Sequence, residues 1–260
     1  MQKMINIKDD KYVKLLSVNL FLDENVFEKG DPFELKEVLE ATGLFAPLEL
    51  NRTLLFKLDG GLARGASNSK GIREKVLNAI DSSNVSTVRF MQNEALEIDN
   101  QSSLEVYFDQ WDGGSKIHFL STNLDKYKEC QIAIAELVVK YKPQYAFANL
   151  YILDHFDIDK ATGIGEINLI NEQYPVDSLN ISRYQGLAKD GKIKDAQWIN
   201  YFSDQLLSHI KVHSPDKLHT STKIDSGRFV QISESPFFSK SDIEWIYKFR
   251  KENADHIVLR

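Results

Sequence analysis

His209 and His213 stand four residues apart, a spacing that can set two imidazoles on one helix face around a shared metal ion. No H-E-x-x-H pattern accompanies them, and no third ligand is obvious nearby. The stretch DHFDIDKATG, Asp154 to Gly163, opens like a calcium loop, with Asp157 and Asp159 at the first and third positions. Ala161, Thr162 and Asn168 then fall where a ligand, a glycine and a glutamate are needed, so a solvated acidic turn is expected. Gly60, Gly61 and Gly65 precede a helix but form neither G-x-G-x-x-G nor a Walker loop, and they read as a loop. No G-x-S-x-G elbow offers a serine nucleophile. Cys130 falls on the apolar side of a helix, the place of a small core residue rather than an activated thiolate. A site assembled from distant residues stays open as a second reading. It would be a hydrolase or transferase using His118, His155 and nearby acids.

The stretch VYFDQWDGG offers a different chemistry. It puts Asp109, Trp111 and Asp112 at the tip of an expected β-hairpin, where a large aromatic in water is costly unless something covers it. Either Trp111 folds back on its own sheet, or it anchors a protein partner between two carboxylates.

The elements that must position these residues are legible in part. Tyr12 to Asp23 is rich in Val, Leu and Phe and reads as a mostly buried strand. In GDPFELKEVLEATGLF, Asp31 is an N-cap, Pro32 takes the first helical position, and Glu34 has capping-box spacing. Leu35, Val38, Leu39 and Thr42 share a face, and Gly43 is the stop. The stretch RTLLFKLDGGLARGASNSKG reads as a short strand running into a loop, followed by a helix over Ile72–Ile80. Two strands flank Asp112-Gly113-Gly114, and Lys126 to Tyr141 is a helix whose apolar side holds Tyr127, Cys130, Ile134, Leu137, Val138 and Tyr141, closed by Pro143. YAFANLYILD and GEINLIN read as strands, while 174–197 shows only turn chemistry and weak periodicity. WINYFSDQLLSHI leads from a strand or turn into a short helix. A Lys/His/Ser-rich connection, a strand over Arg228–Ser233 and a helix over Ser241–Asn253 follow, with Ser241 and Glu244 at capping-box spacing.

Strands and helices alternate without a regular βαβα rhythm, and a hairpin sits mid-chain. That predicts an α+β fold, mainly antiparallel sheet with helices packed on it. It is read as a single domain over 1–260, or two intimately packed halves, 1–100 and 101–260. The formal charge of -6 argues against a phosphate-binding surface and leaves room for an acidic face toward a basic protein. A single cysteine excludes a disulfide framework and points to a reducing compartment. No apolar run approaches membrane-spanning length and the first residues lack an apolar signal core, so a cytoplasmic protein is expected.

The C-terminal third carries a resemblance. WINYFS (198–203), then GRFVQISESPFF (227–238) and a terminal helix, resembles the immunity protein 52 family, antitoxin partners of bacterial polymorphic and type VI secreted toxins. Trp198, Tyr201, Gly227, Glu234, Pro236 and Phe237 occupy its motif positions, and the helix-Pro-aromatic segment around Pro143 is also similar. The resemblance implies an α+β, non-catalytic protein that binds a toxin domain, often a nuclease, in the producer's cytoplasm. The corner itself reads as scaffold. Pro236 ends the strand, Glu234 is placed to accept backbone N–H groups, and Phe237 and Phe238 are placed to pin the next helix. The expected function is one-to-one binding of a cognate toxin with a basic surface. No cofactor, metal, nucleic acid or membrane is involved, and the partner surface is expected at Asp109, Trp111 and Asp112, with Asp154 and Asp157.

Overall fold

Tyr12–Leu22 forms the first strand, β1, and alternation along it serves two buried faces rather than one. Leu16, Val18, Leu20 and Leu22 point one way, Ser17, Asn19 and Phe21 the other, and all seven are buried. The computed structural model of the chain describes residues 12–22, 31–45, 51–56, 62–67, 71–81, 85, 87–93, 101–110, 114–121, 123–154, 190–193, 195–212, 218–224 and 226–257. After β1 come α1 (Pro32–Ala41), β2 (Asn51–Phe56), β3 (Leu62–Ser67), α2 (Ile72–Asp81), β4 (Thr87–Asn93), β5 (Gln101–Gln110) and β6 (Gly114–Ser121). Then follow α3 (Tyr127–Tyr141), β7 (Tyr145–Asp154), β8 (Ile199–Ser203), α4 (Asp204–Leu207), β9 (Thr220–Ile224), β10 (Gly227–Gln231) and α5 (Lys240–Glu252). These strands make one sheet in the order β3-β2-β4-β5-β6-β1-β7-β8-β10-β9. Each neighbouring pair is antiparallel. The fold is α+β, as the element pattern predicts.

Helix ends follow local chemistry, with two corrections. Asp31 Oδ1 accepts from Phe33 N at 2.8 Å, and Leu44 N closes the far end of α1 on Leu39 O at 3.0 Å beside Gly43. Glu34 does not turn back to the cap. Its carboxylate stands 3.6 Å from Lys140 Nζ and so ties α1 to α3. On α5 the capping box is Ser239 with Asp242, not Ser241 with Glu244. Phe238 packs against both core clusters and fixes where the chain enters the helix, which makes Ser239 the last extended residue.

Two edge strands carry no clear strand signal. LARGAS, expected as loop, is β3, and TSTKI, expected as connection, is β9; among the described residues each has a strand neighbour on one side only. Edge strands need little burial, so small and polar residues suffice there. Residues 165–171 and 174–189, the first expected as a strand, lie outside the described residues.

The two faces of the sheet are covered differently. Under α1, α2 and α3 lies a continuous apolar cluster that includes Val18, Leu20, Phe90, Ile117, Phe119, Ile134, Leu137 and Tyr201. On the other face a second cluster gathers Phe21, Tyr145, Phe147, Phe202, Val230, Trp245 and Phe249 beneath α4 and α5. Phe21, Tyr145 and Phe202 are register neighbours on β1, β7 and β8 and stack at 5.8 and 5.7 Å. Arg250 of α5 reaches the buried Asp195 through Nε at 2.9 and 3.1 Å, fastening the helix over this ladder.

Candidate functional site

Beyond the aromatic ladder, the same sheet face turns polar. Arg89, Lys116, His118, Asn19, Ser17 and Asn149 lie on β4, β6, β1 and β7 and are all buried, with Gln197 alongside them before β8. Asn19 Nδ2 donates to Ser17 Oγ at 2.8 Å, and His118 Nε2 lies 3.4 Å from the same oxygen. Asn149 Nδ2 donates to Gln197 Oε1 at 2.5 Å, while Asn19 Oδ1, Asn149 Oδ1 and Gln197 Nε2 have no hydrogen-bond partner among the described residues. Burial, with the positive charges of Lys116 and Arg89, holds the His118 imidazole well below its ordinary range. Ser17 and His118 thus place a serine hydroxyl beside a neutral imidazole. Ser17 is 0% exposed and His118 8%, so a substrate has no approach to the pair in this conformation. Cys130 is likewise sealed, its thiol pKa pushed well up, first by burial and then by Glu129. His155 lies outside the described residues. Among the described residues no group of three His, Cys, Asp or Glu is placed to hold a metal ion, and no helix is long and apolar enough to cross a membrane.

The structure separates the residues expected to face a partner. β5 and β6 pair up to Gln110↔Gly114, which bears out the hairpin at the backbone level, while Trp111 and Asp112 lie outside the described residues. Asp109 is near the tip end of β5, level with the end of β1 where Leu22 pairs Ser115. Asp154 is the last residue of β7 and pairs Tyr12 at the opposite end of β1. Ten residues of β1 separate the two levels, about 33 Å at the usual strand rise. Asp109 and Asp154 thus belong to opposite ends of the sheet. Asp157 lies outside the described residues.

The C-terminal motif divides into an inside and an outside. Trp198 is fully buried, its ring edge-on to Tyr127 at 6.2 Å, and its Nε1 donates to Ser233 O at 2.9 Å. Tyr201 is buried, with its hydroxyl 2.8 Å from Ser226 Oγ. Gly227 lets β10 close on β8, because a methyl group there would stand 2.2 Å from Phe202 O and 2.8 Å from Ser203 Cα. Pro236 is buried. Two members differ from the scaffold role expected of them. At Glu234 the backbone carbonyl does the bonding, accepting from Gln131 Nε2 at 3.1 Å and Gln231 Nε2 at 3.3 Å, while the side chain is exposed. Phe238 pins the helix, whereas Phe237 is 44% exposed. A bonded corner thus holds a carboxylate and an aromatic ring in solvent. Ile132 and Val139 on α3 and Tyr247 on α5 are further large exposed side chains, and nothing in local spacing marks them as such.

No family model matches the chain, and no curated protein matches it by sequence. Its fold is similar to that of a solved structure, the Pseudomonas aeruginosa T6SS protein PA0821, with a TM-score of 0.64 at 11% identity. The likeness covers 95% of this chain and 77% of that one. At that identity it is a likeness of fold.

Proposed function

We propose that this chain is an immunity protein of a type VI secretion system, which binds a cognate protein toxin and neutralises it by occlusion. The likeness to a T6SS protein over 95% of the chain is the observation that carries the reading. The motif residues of the immunity protein 52 resemblance are compatible with it, since Trp198, Tyr201, Gly227 and Pro236 build the corner that displays Glu234 and Phe237. Burial of the Ser17–His118 pair favours action by contact over action by turnover. The partner in this proposal is a protein toxin of the nuclease kind with a basic surface, met in the producer's cytoplasm without a cofactor, nucleic acid or membrane. Its contacts fall at the β5–β6 tip with Asp109, Trp111 and Asp112, while Asp154 and Asp157 would serve a separate patch at the other end of the sheet.

The test is co-expression with the product of the adjacent gene, reading both co-purification and survival of the host cell. Stable 1:1 capture with protection supports the proposal, and substituting Asp109→Asn with Asp112→Asn should weaken capture at least tenfold if the tip is the contact. A chain that neither captures nor protects against its neighbour's product is not an immunity protein. A buried hydrolytic site keeps one observation in its favour, the Ser17–His118 approach. It would be revealed by turnover of an ester or amide substrate that disappears in Ser17→Ala.

A further inference from the structure

Three chain segments far apart in sequence meet below α5 and bring two imidazoles together. His209 follows α4, His256 follows α5, and between them lies the turn at Asp190–Gly191. The rings face each other with centroids 6.0 Å apart and planes inclined at 42°. Gly191 seats both. Its carbonyl oxygen lies 3.0 Å from His256 Nδ1, and its Cα, at a φ of 70°, lies so close under the His209 ring that a methyl group would stand 2.8 Å from His209 Cγ.

The surrounding backbone is cross-tied. Asn253 accepts from Lys211 N at 2.7 Å and donates to Lys211 O at 3.0 Å, Ile193 N donates to His256 O at 2.7 Å, and Lys192 Nζ donates to Asp255 O. The segments that carry the two rings are therefore held together by contacts other than those of the ring nitrogens. With Nδ1 donating its proton to the Gly191 carbonyl, His256 is fixed in the tautomer whose Nε2 carries a free lone pair. A metal-binding histidine has the same arrangement.

We propose that His209 and His256, seated on Gly191, form a surface site for a divalent transition ion of the zinc, copper or nickel kind. Imidazole suits these ions over calcium or magnesium. Two imidazoles at Zn–N distances of about 2.1 Å and a tetrahedral angle put ring centroids roughly 5 Å apart, close to the 6.0 Å of this pair, and the His209 side chain is exposed. Among the described residues no third His, Cys, Asp or Glu joins them.

The test is zinc titration of the tag-free, chelator-treated full chain, by calorimetry or by competition with a chromophoric chelator. One zinc per chain is expected, and His209→Ala or His256→Gln should weaken it at least tenfold, since even outer-shell changes cost roughly 10–100-fold in metal affinity. His256→Gln keeps an N–H donor for the Gly191 carbonyl, and an unchanged far-UV spectrum checks that the fold survives. Gly191→Ala leaves both imidazoles in the chain but displaces His209, so it too should weaken binding. Affinity should also drop on acidification, because a protonated imidazole has no lone pair to give. Zinc binding that is absent in the native chain, or unchanged in both histidine variants, overturns the proposal.

Discussion

One face of the sheet is buried in two different ways. Across β1, β7 and β8 it is an aromatic ladder of Phe21, Tyr145 and Phe202, closed by Phe249 and Trp245 of α5. A few residues along β1 and β7, and on the neighbouring β6, it is a polar row of Ser17, Asn19, His118 and Asn149, also buried yet with amide atoms that find no partner among the described residues. The ladder needs only area and shape to be stable. The row carries a standing cost for each unmet hydrogen bond. Stability is thus concentrated at the C-terminal half of this face and chemical sensitivity at its centre.

The largest effect that would sharpen this contrast is at the ladder. Phe202→Ala should lower the unfolding free energy by about 3–5 kcal/mol, read by urea denaturation, because it removes a fully buried ring between two stacked neighbours. Gly227→Ala comes next. Its methyl group meets backbone rather than a side chain that can swing away, so about 1–3 kcal/mol of destabilisation is expected in the same measurement.

At the polar row the signature is a pH dependence. His118 has a folded pKa well below its ordinary 6.5, so just below pH 6.5 the unfolded chain binds a proton that the folded chain refuses. Stability should therefore fall as pH drops from about 7 toward 5, with this residue contributing up to about 1.4 kcal/mol per pH unit. His118→Gln should flatten that slope, and parallel slopes in the two proteins would break the contrast. The smallest effect on stability belongs to the exposed corner. Phe237→Ala should stay within about 0.5 kcal/mol of the native chain in urea, while weakening capture of a partner if the ring is a contact.

Local chemistry was legible wherever a residue acts on its immediate neighbours. The start and stop of α1, the buried side of α3 and the β5–β6 hairpin all rest on contacts within a few residues, whereas β10 ends at Gln231, short of the end expected before Pro236. Edge strands β3 and β9 escaped because LARGAS and TSTKI carry no apolar alternation to read. Ser17 and His118 could be placed on strands, but not within 3.4 Å of each other, since 101 residues separate them.

The sequence by itself therefore determined the class of fold, the N-cap and stop of α1 and the apolar side of α3, because capping and periodicity act over one or two turns of chain. Only the tertiary structure decided that β1 is covered on both sides, that Asp109 and Asp154 lie at opposite ends of the sheet, that Glu234 and Phe237 face outward, and that His209 meets His256. Each of those depends on register between strands or on which layer covers a face. Such long-range burial is a property of the whole assembled sheet, and no short stretch of residues encodes it alone.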